Sequence, residues 1–174
     1  MSRKELGLKD VELKLISELM KNSRRSDREL AKAIGISQPT VSRVRARLEK
    51  QGLVDYCAVP NLAKLGFEII AVVLGKRNYQ KHPGINTQKA RDFAKRHSNI
   101  IFGASGIGLG YDRISVSFHR NYSDYAKFIQ EIQTEWTGIM DVESFLINTK
   151  SEEIVQPLSF KHFADYLKKE RAPE

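Results

Sequence analysis

The spacing of four residues between positions 27 and 50 constrains the fold of this chain more than any other feature. The segment reads DRELAKAIGISQPTVSRVRARLEK, with apolar residues at helical intervals on both sides of a glycine. Ala31 is small where two helices must approach closely, and Gly35 supplies the left-handed turn between them. Val41 and Val44 then seat the second helix against the first. This combination predicts a helix-turn-helix.

Capping residues set the ends of these helices. Ser26 or Asp27 can cap the first, and Ser37 can cap the second, with Pro39 in its first turn and Gly52 just after its end. An earlier apolar stripe predicts one more helix before them, and an extended segment, 53–59, follows. Residues 1–60 are therefore predicted to form a winged helix-turn-helix domain.

A different hydrophobic period begins after this domain. Residues 69–74 form a continuous apolar run that suits a buried strand. Between 114 and 119 apolar and polar residues alternate, so we expect Ile114, Val116 and Phe118 to face a core and His119 to lie on a polar outer face. Residues 103–110 contain four glycines and are predicted to form a flexible connection. The order of elements from 69 to 149 is β-α-β-β-α-β, which is typical of a ferredoxin-like sandwich.

The chain is therefore predicted to be an α+β protein in three parts. The winged helix-turn-helix domain (1–60) is followed by a ferredoxin-like domain (61–150) for oligomerisation and effector binding. A C-terminal helix with a charged tail (151–174) completes the chain. Phe160, Phe163 and Leu167 give that helix an apolar face, which is more typical of a docking or dimer surface than of a cofactor site.

Composition narrows the class of function. The chain of 174 residues has a formal net charge of +8, which favours a polyanionic partner. One cysteine, Cys57, cannot form a disulfide within the chain, and no apolar run is long enough to span a bilayer. The four histidines have no metal-ligand spacing. We expect a cytoplasmic protein without catalytic residues, metal or cofactor and without a membrane partner.

The second helix of the motif carries the candidate site for double-stranded DNA. Gln38 and Arg43 lie in its N-terminal half, where side chains can reach base edges in the major groove. Glu49 is the only acidic residue between positions 37 and 50, whereas a helix that is merely solvated usually mixes carboxylates with its cations. The remaining basic and hydroxyl residues suit phosphates. The predicted DNA-binding residues are Arg24, Arg25, Ser26, Ser37, Gln38, Pro39, Thr40, Ser42, Arg43, Arg45, Arg47 and Lys50.

Residues 8–54 and the Lys64-Leu65-Gly66 step resemble the Lrp/AsnC (feast/famine) transcriptional regulators. The resemblance implies a dimer that pairs through the sheet domain, often a higher homo-oligomer, and an amino acid or other small effector. The family usually has a glycine three residues before an aspartate at the turn into the third strand; here glycines stand two and four residues before Asp112. The resemblance gives the candidate effector residues Gly106, Gly108, Gly110, Tyr111 and Asp112.

Three functions fit the sequence. The first is a sequence-specific regulator that binds palindromic sites as a dimer. The second is an enzyme, because the same two-domain plan resembles the siroheme decarboxylases. The third is a non-specific architectural DNA-binding protein, which would use the same cations. The basic third helix favours a DNA-binding regulator over an enzyme.

Overall fold

The structure, a computed structural model, describes residues 7–78, 80 and 87–169. It divides into two compact units: one combines the segment up to Val59 with the segment from Gln156 onward, and the other is Pro60–Val155. In this part of the chain, no helix is long and apolar enough to cross a membrane. The elements are α1 Asp10–Lys21, α2 Asp27–Ile34, α3 Gln38–Lys50, β1 Ile69–Arg77, α4 Thr87–Arg96, β2 Ile100–Gly108, β3 Tyr111–His119, α5 Tyr122–Glu135, β4 Met140–Asn148 and α6 Lys161–Lys169.

The helical unit contains the predicted helix-turn-helix. Leu15, Leu30 and Leu48, one from each of α1, α2 and α3, are completely buried against one another. Gly35 ends α2 with a φ of 74°, the left-handed conformation expected between the two helices of the motif. Ser37 caps α3 by accepting a hydrogen bond from the Thr40 backbone N–H. The predicted helices and their turn are confirmed.

The C-terminal helix α6 packs on α1 within the same unit. Ala164 is fully buried, and its carbonyl oxygen accepts a hydrogen bond of 2.9 Å from the Ser17 hydroxyl. Lys21 and Asp165 form an ion pair of 2.8 Å beside this contact. The small Ala164 side chain lets the two helices approach closely enough for the Ser17 hydroxyl to reach the α6 backbone. The apolar face predicted for this helix is therefore partly covered by α1.

The second unit is a four-stranded antiparallel sheet in the order β2-β3-β1-β4. This order and the helices after β1 and β3 confirm the predicted ferredoxin-like sandwich. Ala71 and Val73 of β1 are buried against Phe93 of α4 and Phe128 of α5. One face of the sheet therefore carries the core, and among the described residues no helix of this unit covers the other face.

The predicted orientation of β3 is wrong. Ser117 and His119 are completely buried on the helix side, whereas Val116 and its apolar neighbours lie half-buried on the opposite face. The His119 ring packs at 4.9 Å from Phe128 and at 5.6 Å from Tyr125. Its Nε2 atom and the Ser117 hydroxyl are 2.9 Å apart and form a hydrogen bond, which lowers the cost of burying both polar groups. Alternation identified the two faces correctly, but it could not say which face the helices cover.

The predicted glycine-rich connection is also wrong, because most of it is strand. β2 continues to Gly108, which pairs directly with Tyr111 of β3. Only Leu109 and Gly110 form the turn, with φ angles of 52° and 79°. Two successive positive φ angles are the signature of a tight type I′ hairpin, whose twist matches that of the strands it joins.

Candidate nucleic-acid interface

Helix α3 presents one buried side and one exposed side. Val41, Val44 and Leu48 pack into the core of the helical unit. The exposed side carries most of the predicted DNA-binding side chains of this helix: Gln38, Pro39, Ser42, Arg43, Arg47 and Lys50. At the N-terminus of α3 the Ser37 and Thr40 hydroxyls lie 2.8 Å apart. Backbone N–H groups at this end, which lack helical acceptors, can bind a phosphate.

Three of the predicted cations are exposed and available to a ligand. Within residues 7–78, 80 and 87–169, the side chains of Arg24, Arg43 and Lys50 have no hydrogen bond or ion pair. Arg28, in the first turn of α2, is likewise exposed and without an ion pair in this part of the chain. Arg28 is absent from the predicted DNA-binding residues, although its place one residue after Asp27 at the start of α2 is a usable signal.

Two other predicted cations are bound by carboxylates of α1. Arg25 pairs with Glu18 at 2.5 Å, and Arg47 of α3 pairs with Glu12. Glu18 and Glu12 are 8% and 5% exposed, so both carboxylates lie inside the unit, and an opposite charge offsets the cost of that burial. The apolar periodicity of α1 gave no sign of these buried acids. Their presence directs Arg25 and Arg47 toward α1.

Arg45 lies at the centre of a network that connects three segments. Its Nη1 atom donates to Asp27 of α2 at 3.1 Å, and its Nε atom donates to Glu49 at 3.1 Å and to the Tyr56 hydroxyl at 2.9 Å. The guanidinium also lies over the Tyr56 ring, 5.1 Å from its centre. Ser42 donates a hydrogen bond of 2.5 Å to the same Asp27 carboxylate. We call these five residues the Arg45 network.

The electrostatics of the Arg45 network favour the charged form of Asp27 and the neutral form of Tyr56. The hydrogen bond from Ser42, followed by the hydrogen bond and charge of Arg45, lowers the pKa of the Asp27 carboxyl below its usual value. Burial raises the pKa of the Tyr56 hydroxyl, and its hydrogen bond to Glu49 raises it further. The segment 53–59 forms no regular strand, and Tyr56 ties it to α3.

Comparison with known proteins agrees with this geometry. Residues 8–55 match the family model described as winged helix-turn-helix DNA-binding. An uncharacterized HTH-type transcriptional regulator of Pyrococcus furiosus is 29% identical over 128 residues, which cover 73% of this chain and 82% of that protein. The structure of LrpC from B. subtilis superimposes with a TM-score of 0.66 at 21% identity, covering 86% of this chain and 99% of that one. The chain is a DNA-binding transcriptional regulator whose fold is similar to that of Lrp/AsnC-type regulators.

A further structural neighbour of the regulator was solved with a ligand. It is a transcriptional regulator of Neisseria meningitidis in complex with L-Met, with a TM-score of 0.69 and 18% identity, covering 90% of this chain and 99% of that one. This likeness shows a shared fold.

The candidate effector residues of the regulator lie together at one end of the β2–β3 hairpin. Gly106 and Gly108 belong to β2, and Gly110 belongs to the turn. The Tyr111 hydroxyl is hydrogen-bonded to Glu143, which raises the pKa of this phenol. Asp112 accepts a hydrogen bond of 2.9 Å from the Arg77 backbone N–H, and its other oxygen lies 3.5 Å from the Arg77 Nε atom. The two polar side chains of the set are thus already engaged with neighbouring strands.

Proposed function

We propose that the regulator acts in the cytoplasm as a homodimer or higher homo-oligomer that places α3 in the major groove of double-stranded DNA. The observation that carries the proposal is the exposed face of α3, where Arg43 and Lys50 have no partner among the described residues. The buried face of the same helix fixes its orientation through Val41, Val44 and Leu48. A helix held in this way can enter the groove with its cations already facing the DNA.

The predicted DNA-binding residues divide into three groups in this proposal. Gln38 and Arg43, in the N-terminal half of α3, read base edges, because Arg pairs with guanine and Gln with adenine in a bidentate manner. Lys50, Arg24 and the N-terminus of α3 at Ser37 bind phosphates. Arg25, Arg45 and Arg47 hold the domain together through their carboxylate partners. Their effect on DNA affinity then comes through the position of α3.

Dimerisation through the uncovered face of the sheet would let the protein bind two half-sites of DNA at once. This face is apolar: Val72 of β1 lies between Val116 of β3 and Phe145 of β4 in register, and Phe145 is 67% exposed. A second copy of the chain could bury these side chains in a sheet-to-sheet contact. Two-fold symmetry would then require a palindromic operator with its half-sites about one helical turn apart.

Control by a small effector is the third element of the proposal. The Neisseria neighbour holds L-Met, and the sheet unit of this regulator offers candidate residues at the β2–β3 hairpin. The glycines there leave the backbone open to close approach by a ligand.

A titration tests the DNA-binding part of this proposal. The purified protein would be titrated against the duplex upstream of its own gene and against an unrelated duplex of equal length, by fluorescence anisotropy at several salt concentrations. We expect a preference of about a thousandfold for the upstream duplex at physiological salt. Equal and strongly salt-dependent binding to both would instead indicate an architectural protein or a distant operator. Absence of binding to either duplex at low salt would overturn the assignment of α3.

A further inference from the structure

A cavity of about 450 Å³ lies in the sheet unit between helix α4 and the sheet. Small residues in its lining account for the cavity. Ala90 and Ala94 of α4 face Gly103 and Ser105 of β2, so small residues stand on both sides of the gap. An added side-chain carbon on Gly103 would find no atom nearer than 3.9 Å.

Aromatic rings fill the rest of the contact between the helices and the sheet. The cavity is therefore confined to one region of that contact. Under α5, the His119 ring packs between Tyr125 and Phe128 at centre-to-centre distances of 5.6 and 4.9 Å. Under α4, Phe93 is the buried aromatic side chain, and it lies toward Phe128 at 6.2 Å. Lys89 of α4 donates a hydrogen bond of 3.0 Å to the Glu135 carbonyl, which ties the N-terminal half of α4 to the end of α5.

The chemistry of the lining restricts what could bind. The floor is apolar and includes Phe93, Ile132, Trp136 and Met140. Arg91 and Arg113 are the charged residues of the lining, and no Asp or Glu belongs to the described lining. The Arg113 Nη1 atom donates a hydrogen bond of 3.0 Å to the Asp112 carbonyl and lies 3.9 Å from the Asp112 carboxylate, which leaves donors on its other nitrogens.

We propose that this cavity is a binding site for an apolar monocarboxylic acid, with the carboxylate held by Arg91 and Arg113 and the apolar body lying against the Trp136 end. Two guanidinium groups with one nearby carboxylate, that of Asp112, leave a net positive charge, which favours an anion and disfavours the ammonium group of an amino acid. The volume falls in the ordinary range for small-molecule sites, roughly 300–1,000 Å³. The inference rests on the proposed role of the sheet unit as a sensor and names a ligand class for it. The site differs from the hairpin residues Gly108 to Asp112.

Three matched compounds test the ligand class. They are 4-phenylbutyrate, its neutral amide 4-phenylbutyramide, and L-homophenylalanine, which keeps the carboxylate and adds an ammonium group. Trp136 is the single tryptophan of the chain and lines the cavity, so its fluorescence reports binding directly. We expect saturable binding of the acid to the full-length protein. The affinities of the other two compounds should be weaker by about tenfold or more, because the amide lacks the negative charge and L-homophenylalanine adds a positive one.

Matched variants test the location. Gly103→Val would place a side chain in the cavity and should abolish binding of the acid, whereas Ser98→Val, at an exposed position just before the same strand and outside the lining, should leave it unchanged. Arg91→Gln should remove the preference for the acid over the amide, and Lys95→Gln, on the same helix but outside the lining, should keep it.

Three results would overturn the proposal. They are failure of the acid to saturate the fluorescence change at millimolar concentration, equal loss of binding in Gly103→Val and Ser98→Val, and homophenylalanine binding as tightly as the acid. The DNA titration with the same preparation separates this failure from failure of the proposed function. A protein that binds its operator and ignores the acid contradicts only the cavity assignment.

Discussion

The Arg45 guanidinium donates a hydrogen bond of 3.1 Å to the Asp27 carboxylate, and this contact joins α3 to the start of α2. The side chains of Arg45 and Asp27 are 23% and 24% exposed, so the ion pair is partly shielded from water. Because Arg45 also holds Tyr56, one side chain fixes both the angle of the helix pair and the segment that follows α3. Arg45, which the sequence assigns to DNA phosphates, therefore connects segments within the domain in the free protein.

The first prediction concerns Arg45→Ala. We expect the free energy of unfolding of the helical unit to fall by about 1–3 kcal/mol, because Asp27 loses a partly buried charged partner. DNA binding should weaken for all duplexes, but the slope of log affinity against log salt should stay that of the wild type, since no phosphate contact is lost. Urea denaturation and anisotropy titrations measure the two effects. Tyr56→Phe, which removes only the hydroxyl, should lower both the free energy of unfolding and the DNA affinity, but by less.

The second prediction separates base recognition from phosphate binding. Arg43→Ala should reduce the preference for the operator over an unrelated duplex, at a cost of about 1–3 kcal/mol for the base it reads. Lys50→Ala should weaken binding to both duplexes alike and reduce the slope of log affinity against log salt by about one unit. Both side chains are exposed, so neither change should alter the melting temperature by much. Identical effects of the two variants on specificity and on salt slope would refute this division.

The sequence predicted the architecture of the regulator well, because its signals are local. A glycine at position 35, a cap at Ser37 and apolar spacing in α3 determine the helix-turn-helix within a few residues. The order of strands and helices likewise follows from changes of period along the chain. These features need no knowledge of distant contacts.

The errors came from contacts between elements. Nothing in the alternation of β3 says that the helices cover its Ser117 and His119 side, because burial there depends on the aromatic residues of α5. Likewise, no residue near Arg47 in the sequence indicates its ion pair with Glu12, 35 residues earlier. Small residues in α4 and β2 gave no sign of a cavity, because only their juxtaposition creates one.

The third prediction tests the sheet face as a dimer surface. Phe145→Glu should convert the oligomer into a monomer, because a carboxylate in an apolar sheet-to-sheet contact has no partner. Phe145 is 67% exposed in the single chain, so the fold should tolerate the change. Ile107→Glu, at a fully exposed position of the same unit, serves as the control. Analytical ultracentrifugation measures the mass, and a dimer that survives Phe145→Glu would place the interface elsewhere.

The fourth prediction concerns pH and His119. Burial lowers the pKa of this imidazole, and the nearby Asp124 carboxylate, 3.9 Å away, only partly opposes the effect. The unfolded chain therefore binds a proton at a higher pH than the folded one, so stability should be full above about pH 6.5 and decline below it. His119→Gln keeps a polar group beside Ser117 and should flatten this decline between pH 6.5 and 5. Thermal melts of the variant and of the wild type across that range measure the decline. Parallel curves of melting temperature against pH would contradict the assignment.

The fifth prediction addresses the β2–β3 turn. Leu109 has a φ of 52° and is 92% exposed, so its side chain gains little from packing while its backbone adopts a left-handed conformation. That conformation costs most residues with a side chain roughly 1 kcal/mol, whereas glycine and asparagine adopt it more readily. Asn-Gly is the preferred pair for a type I′ hairpin, and Gly110 already supplies its second residue. Leu109→Asn should therefore raise the free energy of unfolding of the sheet unit by about 1 kcal/mol. Leu158→Asn, at an exposed leucine of the helical unit, controls for the loss of a surface apolar side chain. Equal changes in denaturant midpoint for the two variants would show that the gain does not come from the turn.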